Sequence, residues 1–125
     1  MARRILIDTN IVVDWLRERP EPAAFIDGLG HVPVLSAVRV AELYGGVREG
    51  KERRLLDGLV AGSAVVPIDT ELAQEGGLLW RRYRGSHGLD LPDALIAATA
   101  VVHRLQLATL NRKHFPMLAD LVVPY

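Results

Sequence analysis

Residues 5–16 read ILIDTNIVVDWL. Three apolar residues of strand character run into Asp8, Thr9 and Asn10 follow, and a second apolar stretch then begins. A strand-to-helix turn needs one capping side chain, and here three candidates stand in series. Asp8 reads naturally as the turn residue. Thr9 or Asn10 would each cap the helix unaided, which leaves a carboxylate free for another task.

The same strand-then-helix pattern recurs along the chain. Residues 4–8 predict a short buried strand and 10–16 a helix. Pro20 and Pro22 reset the chain before a helix over 23–29. Val34 and Leu35 predict a second strand, ending at Ser36, a good N-cap. The helix after Ser36 runs to Gly45 and Gly46, whose glycines stop it. Residues 51–60 predict another helix and 64–68 a third strand. Asp69 and Thr70 offer a cap for a helix through Trp80 to Tyr83. Residues 85–90, GSHGLD, read as a loop, followed by an apolar helix over 91–105. A fourth strand is expected over 107–110, a short helix over 112–118, and a fifth strand over 121–123. Alternation of this kind predicts an α/β fold, a parallel sheet with helices on both faces. At 125 residues the expectation is one domain spanning 1–125. In open sheets of this type, sites form beyond the carboxyl ends of the strands. Asp8 ends the first strand and Asn111 follows the fourth, so both fall on the favoured edge.

Composition narrows the function classes. Half of the residues are hydrophobic, enough for a core without staples, and there is no cysteine. Disulfides, thiolate nucleophiles and zinc–thiolate sites are therefore excluded together, and the pattern suits a reducing cytoplasm. No N-terminal stretch has the layout of a secretory signal. The longest apolar run, ALIAATAVV at 94–102, falls well short of the roughly 20 residues that a membrane span needs. The chain is expected to be soluble and cytoplasmic. Cations and anions balance at 15 each, whereas a dedicated nucleic-acid binder is usually basic overall. All the cations except Lys51 and Lys113 are arginines, several of them clustered (Arg3–Arg4, Arg53–Arg54, Arg81–Arg82–Arg84). Arginine's planar fork suits phosphate, although ordinary solvated surface explains such clusters equally well. His31, His87, His103 and His114 show no metal-ligand spacing, and His114 beside Phe115 reads as structural. There is no G-x-S-x-G and no phosphate-cradling glycine loop after the first strand.

Three acids remain, each with an ordinary reading. Glu42 lies opposite the helical stripe Val40, Leu43, Tyr44 and Val47. It reads as a solvated glutamate paired with Arg39 at i−3. Its own face also carries Val38, Ala41 and Gly45, small enough for something to approach closely, and both readings stay open. Asp93 follows Pro92 in a helical first turn, where the helix dipole favours a carboxylate by roughly 0.3–1 kcal/mol. Asp90 is the candidate N-cap. The nine uncharged residues after Asp93 predict a deeply packed helix that holds this carboxylate rigidly. Asn111 reads as a turn residue. If Asp8, Glu42 and Asp93 converge, two carboxylates about 5 Å apart repel by about 3 kcal/mol at an effective dielectric near 20. A divalent cation removes that conflict, and Mg²⁺ or Mn²⁺ prefers such oxygen donors.

The stretches ILIDTNIVVDWL, SAVRVAELYGG and LDLPDALIAATAVVHRLQLATLNRKHF occur in this order at both ends and the centre of the chain. Together they resemble the PIN-domain ribonucleases, in particular the VapC-type toxins of toxin–antitoxin pairs. The resemblance implies a five-stranded parallel sheet flanked by helices and an acidic Mg²⁺ or Mn²⁺ site that cuts RNA endonucleolytically. Asp8, Glu42 and Asp93 stand at the family's three principal acidic positions. Asn111 stands where many members carry a fourth acid, so any second cation would be held weakly, and Asp90 is the residue available to compensate. Thr9 or Asn10 is expected to support the site by hydrogen bonds. The resemblance further implies a homodimer silenced by a small VapB-type antitoxin. Two other readings are a non-catalytic PIN-like module that binds RNA or protein, and a small phosphohydrolase. Phosphatases resembling haloacid dehalogenases need an aspartate two residues after the first, and that position is Asn10.

Overall fold

The computed structural model describes residues 3–125. Strands β1 (Ile5–Ile7), β2 (Val34–Ser36), β3 (Ala64–Val66) and β4 (Gln106–Ala108) form one parallel sheet in the order β3-β2-β1-β4. Helices α1 (Thr9–Leu16) and α2 (Pro20–Asp27) connect β1 to β2, and α3 (Ala37–Gly46) and α4 (Lys51–Ala61) connect β2 to β3. From β3 the chain crosses through α5 (Thr70–His87) and α6 (Leu91–Val102) to β4, on the far side of β1. The strand order therefore reverses between β1 and β4, and a crevice opens there at the carboxyl edge.

Period-two alternation divides the sheet residues between two cores. Leu6, Val34 and Leu107 face one side, with Ile96, Ala97 and Ala100 of α6 and with Phe115. Ile7, Leu35 and Ala108 face the other, against Ile11, Val12 and Leu16 of α1, Leu43 of α3 and Leu56 of α4. Both faces are covered, so the strands carry apolar side chains in both directions, as parallel strands do. On the first face, α5 and α6 pack at close range through Gly76, where an added Cβ would lie 2.5 Å from Leu95 Cδ2.

The expected fifth strand is not formed. Residues 121–123 contribute one isolated parallel bridge, Ala108 with Val122, made by Thr109 N–H to Val122 O (2.9 Å) and Val122 N–H to Leu107 O (2.9 Å). Pro124 follows and has no N–H with which to extend the ladder. The sheet has four strands. Pro67 similarly coincides with the end of β3 at Val66, short of residue 68. Helix α5 runs to His87, through half of the expected 85–90 loop, and ends at Gly88, whose φ of 62° is the left-handed conformation that glycine adopts without strain. The helix expected over 112–118 is a single 3-10 turn, Arg112–His114.

Candidate active site

Four elements deliver side chains to the crevice between β1 and β4. Asp8 leaves β1 in extended conformation and is the N-cap of α1. Its backbone N–H continues the ladder to Ala108 O at 3.0 Å. One carboxylate oxygen accepts the Thr9 N–H (2.9 Å) and the other accepts the Thr109 hydroxyl (2.7 Å). The carboxylate is thus gripped from its own helix and from the end of β4. Thr109 is fully buried, and its oxygen in turn accepts the Asn111 N–H at 3.0 Å. Asn10 lies across the same junction, its Nδ2 3.5 Å from Thr109 Oγ1 and its Oδ1 accepting the Leu110 N–H at 3.3 Å. Asn10 therefore ties α1 to the β4 exit, and Asp8 both caps and faces the crevice.

Asp93 is held by the cap of α6. The Asp90 side chain accepts the Asp93 N–H at 2.8 Å, and the apolar helix behind it is buried along Ala94, Ile96, Ala97, Ala98, Thr99 and Ala100. Glu42 projects from α3, whose N-cap Ser36 accepts the Val38 N–H at 3.1 Å. Its side chain is 42% exposed, at the mouth. Asn111 is exposed on the wall of the same open depression, of about 490 Å³, and its side chain makes no capping hydrogen bond.

The residue that organises this cluster is Arg39, read from the sequence only as a surface partner of Glu42. Its side chain is 7% exposed and lies between the three acids. Nη1 donates to Glu42 Oε1 at 2.6 Å and Nη2 to Asp93 Oδ1 at 2.5 Å. Nε lies 2.9 Å from Asp8 Oδ1, within ion-pair range, yet it is buried without a hydrogen bond because its N–H is not aligned with that oxygen. Burial opposes the charge on Arg39. The Asp8 charge and the hydrogen bonds of Glu42 and Asp93 outweigh it and hold the guanidinium more firmly protonated than usual. Asp93 is pushed above the usual carboxylate range, first by burial and then by Asp90, with Arg39 opposing. His114 also arrives here, its Nδ1 3.2 Å from Asp93 Oδ2 and its ring 57% exposed.

The donor set is suited in kind to a hard cation, being carboxylate oxygens, one on each acid engaged by Arg39. Thr9 Oγ1, which lines the depression, is buried without a protein partner, as is Arg39 Nε. The Thr9 hydroxyl is a polar atom that a hydrated ion would satisfy, whereas the Arg39 N–H is a donor that no cation can satisfy. With the guanidinium at the centre, no three His, Cys, Asp or Glu side chains among the described residues stand close enough to share a metal ion. Two residues of this cluster escaped the sequence reading in their placement: Arg39, because helical periodicity put it on the polar side of α3, and His114, because nothing local distinguishes it. The spacing of three before Glu42 was the available signal for Arg39.

Comparison with known proteins adds to this geometry. The family model described as PIN domain matches residues 5–121. "Ribonuclease VapC10" of Mycobacterium tuberculosis is 49% identical over 134 residues, covering 97% of this chain and 92% of that protein. "Ribonuclease VapC19" of the same organism is 43% identical over 124 residues, covering 96% and 98%. A solved "Toxin-antitoxin complex from Klebsiella pneumoniae" superposes with a TM-score of 0.83 at 31% identity, covering 97% of this chain and 98% of that one.

Proposed function

Because this chain belongs to the PIN-domain family, and within it to the VapC ribonucleases, we propose that it is a divalent-metal-dependent endoribonuclease, the toxin of a toxin–antitoxin pair. The observation that carries the reading is the meeting of Asp8, Glu42 and Asp93 around a single cationic point at the carboxyl edge of β1 and β4. Three carboxylates against one guanidinium leave an excess of negative charge, which a divalent cation would balance.

Asp8 and Asp93 are the leading candidates to hold Mg²⁺ or Mn²⁺, with Glu42 next. Bound there, the ion would supply charge neutralisation at phosphorus and an acidified water for hydrolysis. The protein's own contribution is positional. Thr9 and Thr109 fix both oxygens of Asp8, and Asp90 fixes the first turn that carries Asp93. Asn111 and His114 line the depression beside them, and on this reading they would contact the ribose–phosphate chain. Asn111 carries no charge, so the site holds one ion tightly at most. Arg17 and Arg48, which line the adjoining groove, supply cations for flanking phosphates. In-line attack by water leaves a 5′-phosphate and a 3′-hydroxyl.

By the same family reading, the partners are an RNA substrate, a VapB-type antitoxin and a second copy of this chain in a homodimer. The likeness to a solved toxin–antitoxin complex supports the antitoxin. We place the protein in the cytoplasm, where RNA is available. No helix among the described residues is long and apolar enough to cross a membrane.

A second reading, a non-catalytic PIN-like module that binds RNA or protein, is favoured by the guanidinium at the centre of the acids and the lack of a ready three-donor set. Cleavage of total small RNA by antitoxin-free protein separates the two. The comparison is Mn²⁺, Mg²⁺ and EDTA, with Asp8→Asn and Asp93→Asn alongside. Discrete fragments that need metal and vanish in both variants are expected. No metal-dependent fragments from folded protein would leave the binding module in front, and 2′,3′-cyclic phosphate ends would refute the hydrolytic route.

A further inference from the structure

Arg39 is the third residue of α3, one turn before Glu42, and its buried guanidinium reaches carboxylates from three separate elements. Each nitrogen serves a different acid: Nε Asp8, Nη1 Glu42, Nη2 Asp93. The oxygens so engaged are Asp8 Oδ1, Glu42 Oε1 and Asp93 Oδ1. A cation held by these three residues would need the same faces of the same carboxylates. Two positive centres cannot share that space, since their repulsion at this burial is strong and the guanidinium fills the volume between the acids.

Several features make the guanidinium displaceable and not simply structural. Its Nε–H is buried and unsatisfied beside Asp8, so one of its three contacts is a charge contact without a hydrogen bond. Asp8 does not depend on Arg39 for its position, because Thr9 N–H and Thr109 Oγ–H hold it independently. The Asp93 backbone is anchored by Asp90. Glu42, the third partner, stands at the exposed mouth and marks a way out toward the open depression. The carboxylates would therefore keep their places when the guanidinium leaves.

We propose that Arg39 is a resident competitor for the divalent cation: its guanidinium neutralises the carboxylate cluster in the metal-free protein, and cation binding expels it toward the mouth. The inference rests on the metal-dependent reading and adds that this chain's metal affinity is set by Arg39 as well as by its acids. An arginine so placed weakens metal binding while it stabilises the metal-free fold.

The test is direct binding, independent of cleavage. Mn²⁺ affinity of the full chain is measured by calorimetry or by the Mn²⁺ spin-resonance signal for the wild type and for Arg39→Gln. Tighter binding by Arg39→Gln, by about tenfold or more, is expected, together with a lower melting temperature in EDTA and a larger rise on adding Mn²⁺. Equal or weaker Mn²⁺ affinity in folded Arg39→Gln would overturn the inference. Should that variant fail to fold without metal, the Arg39 Nε–Hε signal of the wild type decides. It is expected to move toward a solvent-exchanging, unpaired position as diamagnetic Mg²⁺ saturates, and a signal unchanged at saturation would refute displacement. Wild-type protein that binds no divalent cation would overturn both this inference and the metal-dependent reading, whereas binding without movement of Arg39 overturns this inference alone.

Discussion

At the scale of single residues, Asp8 combines two roles that compete in most proteins. As the N-cap it accepts a helix N–H, and as a buried acid it faces Arg39 across the crevice. The two roles are separable by substitution. Asp8→Asn keeps an oxygen for the Thr9 N–H, and Asp8→Ala keeps none. The alanine variant should therefore be the less stable of the two by about 1 kcal/mol, read from urea unfolding midpoints. Thr109 acts through Asp8: it is fully buried, donates to one carboxylate oxygen and accepts the Asn111 N–H. Thr109→Val retains the shape and removes all of this. It should cost about 1–3 kcal/mol of stability by the same measurement. On the reading proposed here, it should also reduce RNA cleavage without abolishing it.

At the scale of elements, the pairing of α5 with α6 holds the Asp93 turn in place. The approach is close because Gly76 has no side chain where Leu95 packs: a Cβ there would stand 2.5 Å from Leu95 Cδ2 and 3.4 Å from Leu95 Cα. Gly77, one residue on, has nothing within 4 Å of its would-be Cβ. The two glycines should respond oppositely to the same change. Gly76→Ala overpacks the helix pair and should destabilise by about 1–3 kcal/mol. Gly77→Ala should stabilise by about 0.5–1 kcal/mol through helix propensity alone. Thermal unfolding of both variants beside the wild type checks the sign of each. The GG pair at 76–77 is visible in the sequence, but which glycine meets α6 is a property of the packed helices.

At the scale of the whole molecule, the segment after β4 wraps back across the sheet edge and ends on α1. Gln106 Nε2 donates to Asp120 O at 2.9 Å, Val122 bridges Ala108, and the Tyr125 hydroxyl donates to Asp14 Oδ2 at 2.9 Å. Burial first, and then the bond to Asp14, push the Tyr125 phenol up to about 12. Folding favours the neutral phenol, so this contribution is complete below the ordinary tyrosine value of about 10 and is lost as pH rises through about 12. Tyr125→Phe should accordingly unfold at lower urea than the wild type at pH 8, with the gap closing above pH 10. The proposed cation should act on global stability as well. At a free concentration a hundredfold above its dissociation constant, it raises the unfolding free energy by about 2.7 kcal/mol. Melts in Mn²⁺ and in EDTA should differ accordingly, and Asp8→Asn combined with Asp93→Asn should remove the difference.

The alternation of strands and helices, the caps at Ser36 and Asp90, and the placing of Asp8 at a strand end were all legible in the sequence. Each depends on residues within a turn or two of one another. Asn111 stands three residues beyond β4, before the 3-10 turn, and not at the strand's end. The number of strands was less so. The apolar 121–123 run has strand character, but Pro124 and its position at the sheet edge limit it to one bridge. The acids Asp8, Glu42 and Asp93 stand out from the sequence one by one, whereas their meeting point does not. Arg39 shows why. Periodicity along α3 assigns a side chain to a face of its own helix, but whether that face meets solvent or two carboxylates from β1 and α6 depends on how the sheet order brings those elements together. Local pattern therefore determined the elements and the candidate acids, and only the tertiary structure decided that a buried arginine stands between them, because the charges that hold it there come from residues as far as 54 positions away along the chain.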